Sequence, residues 1–180
     1  IILLMTTHRE PLKSHCDNIF KDICDKYIFD DNIEIHVKPH PAELRNNSTI
    51  EFPQNAKIHK DDVDLHALIG ASDIIISPAT SVIVPALALG IPFINLLDPN
   101  SGIEDAHLYS PLIEMLGKTI GNVSEIDEWI KNPPKIEQKL LGDVFKQVGY
   151  KCDGKNGKRV FNLCKWVVST KPINEWKDII

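Results

Sequence analysis

The chain opens on an apolar run, Ile1 to Met5, and then changes period. Leu12, Cys16, Ile19, Phe20, Ile23, Cys24 and Tyr27 recur at the i, i+3, i+4, i+7 spacing that lines one face of a helix. This predicts a first strand followed by a helix over about Leu12 to Tyr27. From Ile33 to Lys38 the period falls to two, which puts Ile33, Ile35 and Val37 on one face of a second strand and Glu34, His36 and Lys38 on the other. Pro39 and Pro41 end that strand. Further signals follow in the same rhythm: a short strand at Ala56 to His59, a helix near Val63 to Ala71, and a buried strand from Asp73 to Ser77 carrying three consecutive isoleucines. A helix over Thr80 to Leu89, stopped by Gly90, leads to a strand over Pro92 to Leu96.

Strand and helix alternate throughout this stretch, the signature of βαβ units and a parallel sheet with helices on both faces. The expected fold class is α/β, Rossmann-like. Beyond Leu97 the pattern loosens into the polar turn Asp98-Pro99-Asn100-Ser101-Gly102. Two more helices are expected after it, one with Ile136, Leu140, Leu141, Val144, Phe145 and Val148 on a stripe, the other with Val160, Phe161, Cys164, Val167 and Val168.

Length and composition fit this picture. At 180 residues, with 43% hydrophobic and 25% charged residues, the chain suits one globular domain over 1–180, with 165–180 as a terminal extension. A formal charge of −5 argues against a nucleic-acid partner, so any anion site must be local. The four cysteines, Cys16, Cys24, Cys152 and Cys164, form no CxxC pair or zinc-type cluster and read as reduced, buried thiols of a cytoplasmic protein. The most apolar stretch, Val82 to Leu97, is interrupted by Pro85 and Pro92 and is shorter than the roughly 20 residues a transmembrane helix needs.

In open parallel sheets, ligands bind at the carboxyl ends of the strands. Two of those ends carry histidine with a cation: Thr6-Thr7-His8-Arg9-Glu10 after the first strand and Lys38-Pro39-His40-Pro41 after the second. Ser77-Pro78-Ala79-Thr80-Ser81 after the isoleucine strand offers hydroxyl and backbone donors to a phosphate. Capping of the following helix by the same hydroxyls is the ordinary alternative. No Walker-type or GxGxxG pattern and no GxSxG elbow occurs, which disfavours P-loop nucleotidases, dinucleotide oxidoreductases and serine hydrolases. The acids Asp61, Asp62 and Asp64 suit a helix start better than a metal.

The run Asp64 to Leu97, with Ala71-Ser72-Asp73, Ser77, Thr80-Ser81, Ala88-Leu89-Gly90 and Pro92, resembles the nucleotide-binding half of GT-B glycosyltransferases. Lys38-Pro39-His40-Pro41 resembles the KxHP segment of the CDP-glycerol glycerophosphotransferase and capsular polysaccharide transferase families. Thr7-His8-Arg9-Glu10 resembles the THRxEN segment of UDP-N-acetylglucosamine 2-epimerases, and Asp153-Gly154-Lys155 with Arg159-Val160 the DGxxxxRI segment near the end of these proteins. The resemblance extends from Ile1 to about Leu163. It departs at Val84-Pro85, where many such enzymes place the Glu that holds the ribose, and at Pro11, where the epimerase segment has Asn.

The resemblance implies the donor nucleotide-binding domain of an enzyme of bacterial surface polysaccharide synthesis, needing no metal. Ser77, Thr80 and Ser81 would hold the diphosphate of a nucleotide-activated donor, Arg9, Lys38 and His40 would offset its charge, and His40 or His8 would protonate the leaving phosphate. Residue 1 stands where the second half of such enzymes begins and is not Met. A fragment lacking the acceptor-binding N-terminal half is therefore expected, inactive by itself and membrane-associated only through parts outside this chain. An epimerase-like enzyme, an interaction module with a degenerate nucleotide site and an ordinary small-molecule α/β enzyme are the alternatives. Oligomeric state is left open.

Overall fold

A computed structural model of the chain describes residues 1–8, 10, 12–45, 51–60, 63–78, 81–96, 117–119, 123–137, 139–140, 142–143 and 153–168. The chain divides into two compact units, Ile1–Leu141 and Gly142–Ile180. The first holds a parallel sheet built from β1 (Ile2–Met5), β2 (Ile35–Lys38), β3 (Ala56–Ile58), β4 (Ile74–Ser77), β5 (Phe93–Asn95) and β6 (Gly117–Thr119). The strand order is β3-β2-β1-β4-β5-β6. Helices α1 (Leu12–Lys26), α2 (Pro41–Arg45), α3 (Leu65–Gly70), α4 (Ile83–Ala88) and α5 (Ile126–Lys131) accompany it, with a 3-10 turn at Val123–Glu125.

The sequence pattern explains the sheet. β1, β2 and β4 are buried on both faces, as strands inside a helix-covered parallel sheet must be. Alternation sorts their residues: Ile2, Leu4, Ile35, Val37, Ile74, Ile76 and Ile94 enter one core cluster with the apolar stripe of α1 and with Ile126 of α5. Leu3, Ile75 and Phe93 face the other way and are equally buried, as are Leu68 and Ile69 of α3 and Ile83, Ala86 and Leu87 of α4. Replacing Phe20, which is fully buried in the α1 stripe, by Ala removes about 3–5 kcal/mol, as for other buried aromatics.

Several boundaries differ from the sequence reading for identifiable reasons. The helix expected from Thr80 begins only at Ile83, which keeps Pro85 inside the first turn, where its missing N–H costs nothing. Pro41, read as a strand stop, is also the first residue of α2, the helix position proline favours. β6 carries Gly-Lys-Thr and no apolar alternation, so nothing in its sequence announces a strand.

In the second unit, α6 (Asn156–Val168) forms over the expected stripe. The expectation of four buried thiols fails at Cys164, which is exposed, as are Val160 and Phe161. Cys16 and Cys24 are buried, and Cys152 lies outside the described residues. Of the other expected stripe, Leu140 is helical and Ile136 is not; Leu141, Val144, Phe145 and Val148 lie outside the described residues.

Candidate functional site

The chain reverses its direction of travel across the sheet between β1 and β4. Successive strands run outward from β1 through β2 to β3, then return to β4 and run outward through β5 to β6. At such a switch the loops leaving the two central strands diverge and open a crevice at their carboxyl ends. Thr6, Thr7 and His8 leave β1 there, Pro78 leaves β4, and Pro39 and His40 leave neighbouring β2. The Ser77 hydroxyl donates across the switch to the Met5 carbonyl at 3.1 Å and ties the two strands together.

The structure brings His8 and His40 into contact, with ring centroids 4.3 Å apart and planes inclined by 31°. His8 is exposed and His40 half-buried. Beneath them lies a carboxylate that the sequence reading missed. Glu43, only 2% exposed, accepts hydrogen bonds from the Thr6 hydroxyl and, at 3.0 Å, from the His40 backbone N–H, and pairs with Lys13 at 3.1 Å. Thr6 Oγ1 also accepts from the His40 N–H at 2.9 Å. One carboxylate thus joins the end of β1, the first turn of α1 and the β2–α2 loop.

The local cause is a capping box. His40 precedes Pro41, the first residue of α2; its Nδ1 accepts from the Ala42 N–H at 3.1 Å, while Glu43, at the third helical position, reaches back to the His40 N–H. Histidine replaces the usual Ser or Thr. The signal was present in the sequence as His-Pro-x-Glu, with proline at the first helical position. Burial opposes the charge on Lys13, but hydrogen bonds to Asp17 and Glu43 outweigh it and hold its pKa above the ordinary lysine value.

Other expected residues fare differently. Lys38 is buried in β2 and donates to the Lys60 carbonyl at 2.7 Å, on the β3 side of the strand. Ser77 is at the predicted strand end but directs its hydroxyl into the sheet. Ser81 is exposed in the turn before α4. Arg9 and Thr80 lie outside the described residues. Val84, where the resemblance departs from a ribose-holding Glu, is an exposed apolar residue of α4.

Two more polar groupings have local explanations. On the far side of β2, His36 is buried between Glu34, at 3.3 Å from Nε2, and His59, whose Nε2 lies 3.2 Å from Nδ1. Among the described residues no group of three or more His, Cys, Asp or Glu is arranged to hold a metal ion. In the second unit Gly154 takes a positive φ of 72°, which lets the Lys155 N–H reach Asp153 at 3.0 Å, and the Arg159 guanidinium clasps the same carboxylate and Asn156. These bonds, Arg159 first, hold Asp153 down to about 2. The Asp-Gly and Arg of that segment therefore build a helix entry.

The strand order and the polar cluster at the switch define a Rossmann-like α/β protein with a candidate binding crevice at the strand ends. No protein-family model matches the chain, and no curated protein matches it. Among solved structures, KpsC, the beta Kdo 2,4 transferase of Thermosulfurimonas dismutans, superposes with a TM-score of 0.41 at 17% sequence identity, over 53% of this chain and 33% of that one. The chain thus spans about a third of that enzyme's length. Among the described residues no helix is long and apolar enough to cross a membrane.

Proposed function

We propose that this chain is the donor-nucleotide-binding part of a glycosyltransferase-type enzyme of surface polysaccharide synthesis. The observation that carries the reading is the meeting of His8 and His40, delivered by different strands to one point beside the topological switch. Neither residue is needed there for the core: both stand beyond the ends of their strands, with His8 exposed. Paired imidazoles on a locked loop suit an anionic group with developing charge. The likeness of Lys38-Pro39-His40-Pro41 to the KxHP segment supplies the class of ligand, a nucleoside diphosphate bearing a sugar or alditol.

In the transfer, a sugar donor breaks the bond from its anomeric carbon to the phosphate oxygen, whereas an alditol donor breaks the P–O bond of the diphosphate and passes on its alditol phosphate; in either case the electron pair stays on the nucleotide. An acceptor hydroxyl forms the new bond and gives its proton to a base in another part of the enzyme. His8 and His40 meet the charge left on the phosphate by hydrogen bonding or proton donation, with Arg9, Thr80 and Ser81 completing the surround. No step calls for a metal. Lys38 and Ser77 act one layer back, by fixing β2 to the loop after β3 and β4 to β1.

A calorimetric and thermal-shift screen of CMP, CDP, UMP, UDP and GDP tests the reading, with His40→Ala and Thr80→Ala/Ser81→Ala beside the parent. A nucleotide that binds only the native state raises its melting temperature with concentration. The expected result is stabilisation by one diphosphate and a smaller shift at the same concentration in both variants. No shift at millimolar nucleotide in a folded parent overturns the reading and leaves a module that has kept the fold without the site.

A further inference from the structure

The helix α6 carries a charge that the chain as a whole conceals. Between Asp153 and Val168 stand four cations, Lys155, Lys158, Arg159 and Lys165, and one acid, in a chain whose formal charge is −5. The acid is Asp153, and the Arg159 guanidinium clasps it at the helix entry. Within α6 itself there is no carboxylate.

The apolar residues of α6 are ordered along its surface. Val160 and Cys164 stand one turn apart in one row, and Phe161 stands in the next, with Lys158 one turn before it and Lys165 one turn after it. All five are exposed, Val160 by 59% and Phe161 by 67%. An apolar row so open to water is unfavourable unless a partner covers it, and the two ammonium groups flanking the ring repel a second copy of the same face. A polyanion alone would meet the lysines and leave Val160 and Phe161 in water. The partner that suits both rows has negative charge at one level and hydrocarbon directly beneath it, as an anionic lipid surface does.

We infer that α6 is a surface anchor for anionic membranes, with Val160, Phe161 and Cys164 at the acyl boundary and Lys158 and Lys165 at the lipid phosphates. The lysine stems lie along the apolar rows while their heads reach the phosphates. At 13 residues the helix is about 20 Å long. That is too short for the roughly 30 Å hydrocarbon core, so it lies along the surface. Net charge alone argues against such contact; the clustering of cations on α6 restores it locally. The anchor does not depend on the nucleotide reading, since none of its residues belongs to the crevice at the strand ends.

Sedimentation of the full chain with vesicles tests it, using phosphatidylcholine alone or an equal mixture of phosphatidylcholine and phosphatidylglycerol. The protein should sediment with the mixed vesicles, stay in solution with phosphatidylcholine alone, and be released as salt is raised. Lys158→Gln/Lys165→Gln should lower the partition coefficient by more than about tenfold, at about fivefold per lysine. Phe161→Ala should lower it about tenfold through lost apolar burial. Lys21→Gln, which removes an exposed cation of α1, should leave it within about twofold of the value that each lysine on α6 far exceeds. All three changes fall on exposed residues, so thermal midpoints should match the parent. No binding to the mixed vesicles, equal binding to both kinds, or a Phe161→Ala variant that binds like the parent overturns the anchor. A dimer of the free protein that Phe161→Ala dissociates, with no vesicle binding, gives the face to a second copy and overturns it as well.

Discussion

His8 and His40 touch through their rings although one leaves β1 and the other β2, so their contact depends on the register that sets Met5 beside Lys38. Residues in contact couple energetically, whereas distant ones add. His8→Ala and His40→Ala should each weaken binding of the preferred diphosphate about tenfold, with a coupling of at least about 0.5 kcal/mol in the double variant. Calorimetric titration of the four proteins measures this. Strict additivity would show that the two rings act on different ligand groups.

Glu43 is the residue whose loss should cost the most stability at the site. Removing its side chain leaves the Lys13 ammonium, the Thr6 hydroxyl and the His40 N–H without their shared acceptor in a nearly closed environment. Glu43→Ala should lose about 3–5 kcal/mol, as for other broken buried pairs. Thr6→Val, which removes one hydroxyl of the same group, should lose about 1 kcal/mol. Urea midpoints at constant m-value give both numbers. A Glu43→Ala loss below that of Thr6→Val contradicts the central place of the carboxylate.

The sheet was legible because buried parallel strands must be continuously apolar and their crossover helices must be amphipathic; Ile74 to Ile76 and the Leu12 to Tyr27 stripe obey both demands. The site was legible only as residue types at strand ends. Lys38 and Ser77 are the last residues of their strands, but the direction of their side chains depends on partners, the Lys60 and Met5 carbonyls, that come from other parts of the chain. Glu43 was missed for the opposite reason. An acid three residues after His40 looks like a solvated helix position until Thr6 and Lys13 are folded against it.

The thiols should separate cleanly in reactivity. Burial pushes the Cys16 thiol up to about 12, with the Asp17 charge adding to it, and burial likewise pushes Cys24 up to about 11. Cys164 is exposed on α6. Since the thiolate is the nucleophile, iodoacetamide at neutral pH should label Cys164 in the native protein and leave Cys16 and Cys24 unmodified until denaturant is added. Peptide mass spectrometry reads the sites directly. Early labelling of Cys16 would mean that α1 opens far more readily than its buried stripe allows.

Acid should loosen the junction between α1 and α5. Hydrogen bonds from Lys26 and then Tyr27 hold the Asp127 carboxyl below its ordinary value of 3.8. Because the folded value is the lower one, the carboxylate contributes stability that is fully present above the ordinary range and disappears as pH falls through the folded value. Tyr27→Phe removes one of the two donors, so the variant's Asp127 should sit closer to 3.8 and its stability at pH 7 should be about 1 kcal/mol lower. As pH falls through the folded value the parent also loses the ionised acceptor, and the gap between parent and variant should narrow. Urea midpoints of both proteins, taken from pH 7 down to the lowest pH at which the parent stays folded, trace that gap. A gap that stays constant throughout would assign the loss to packing around the phenol and not to its bond with Asp127.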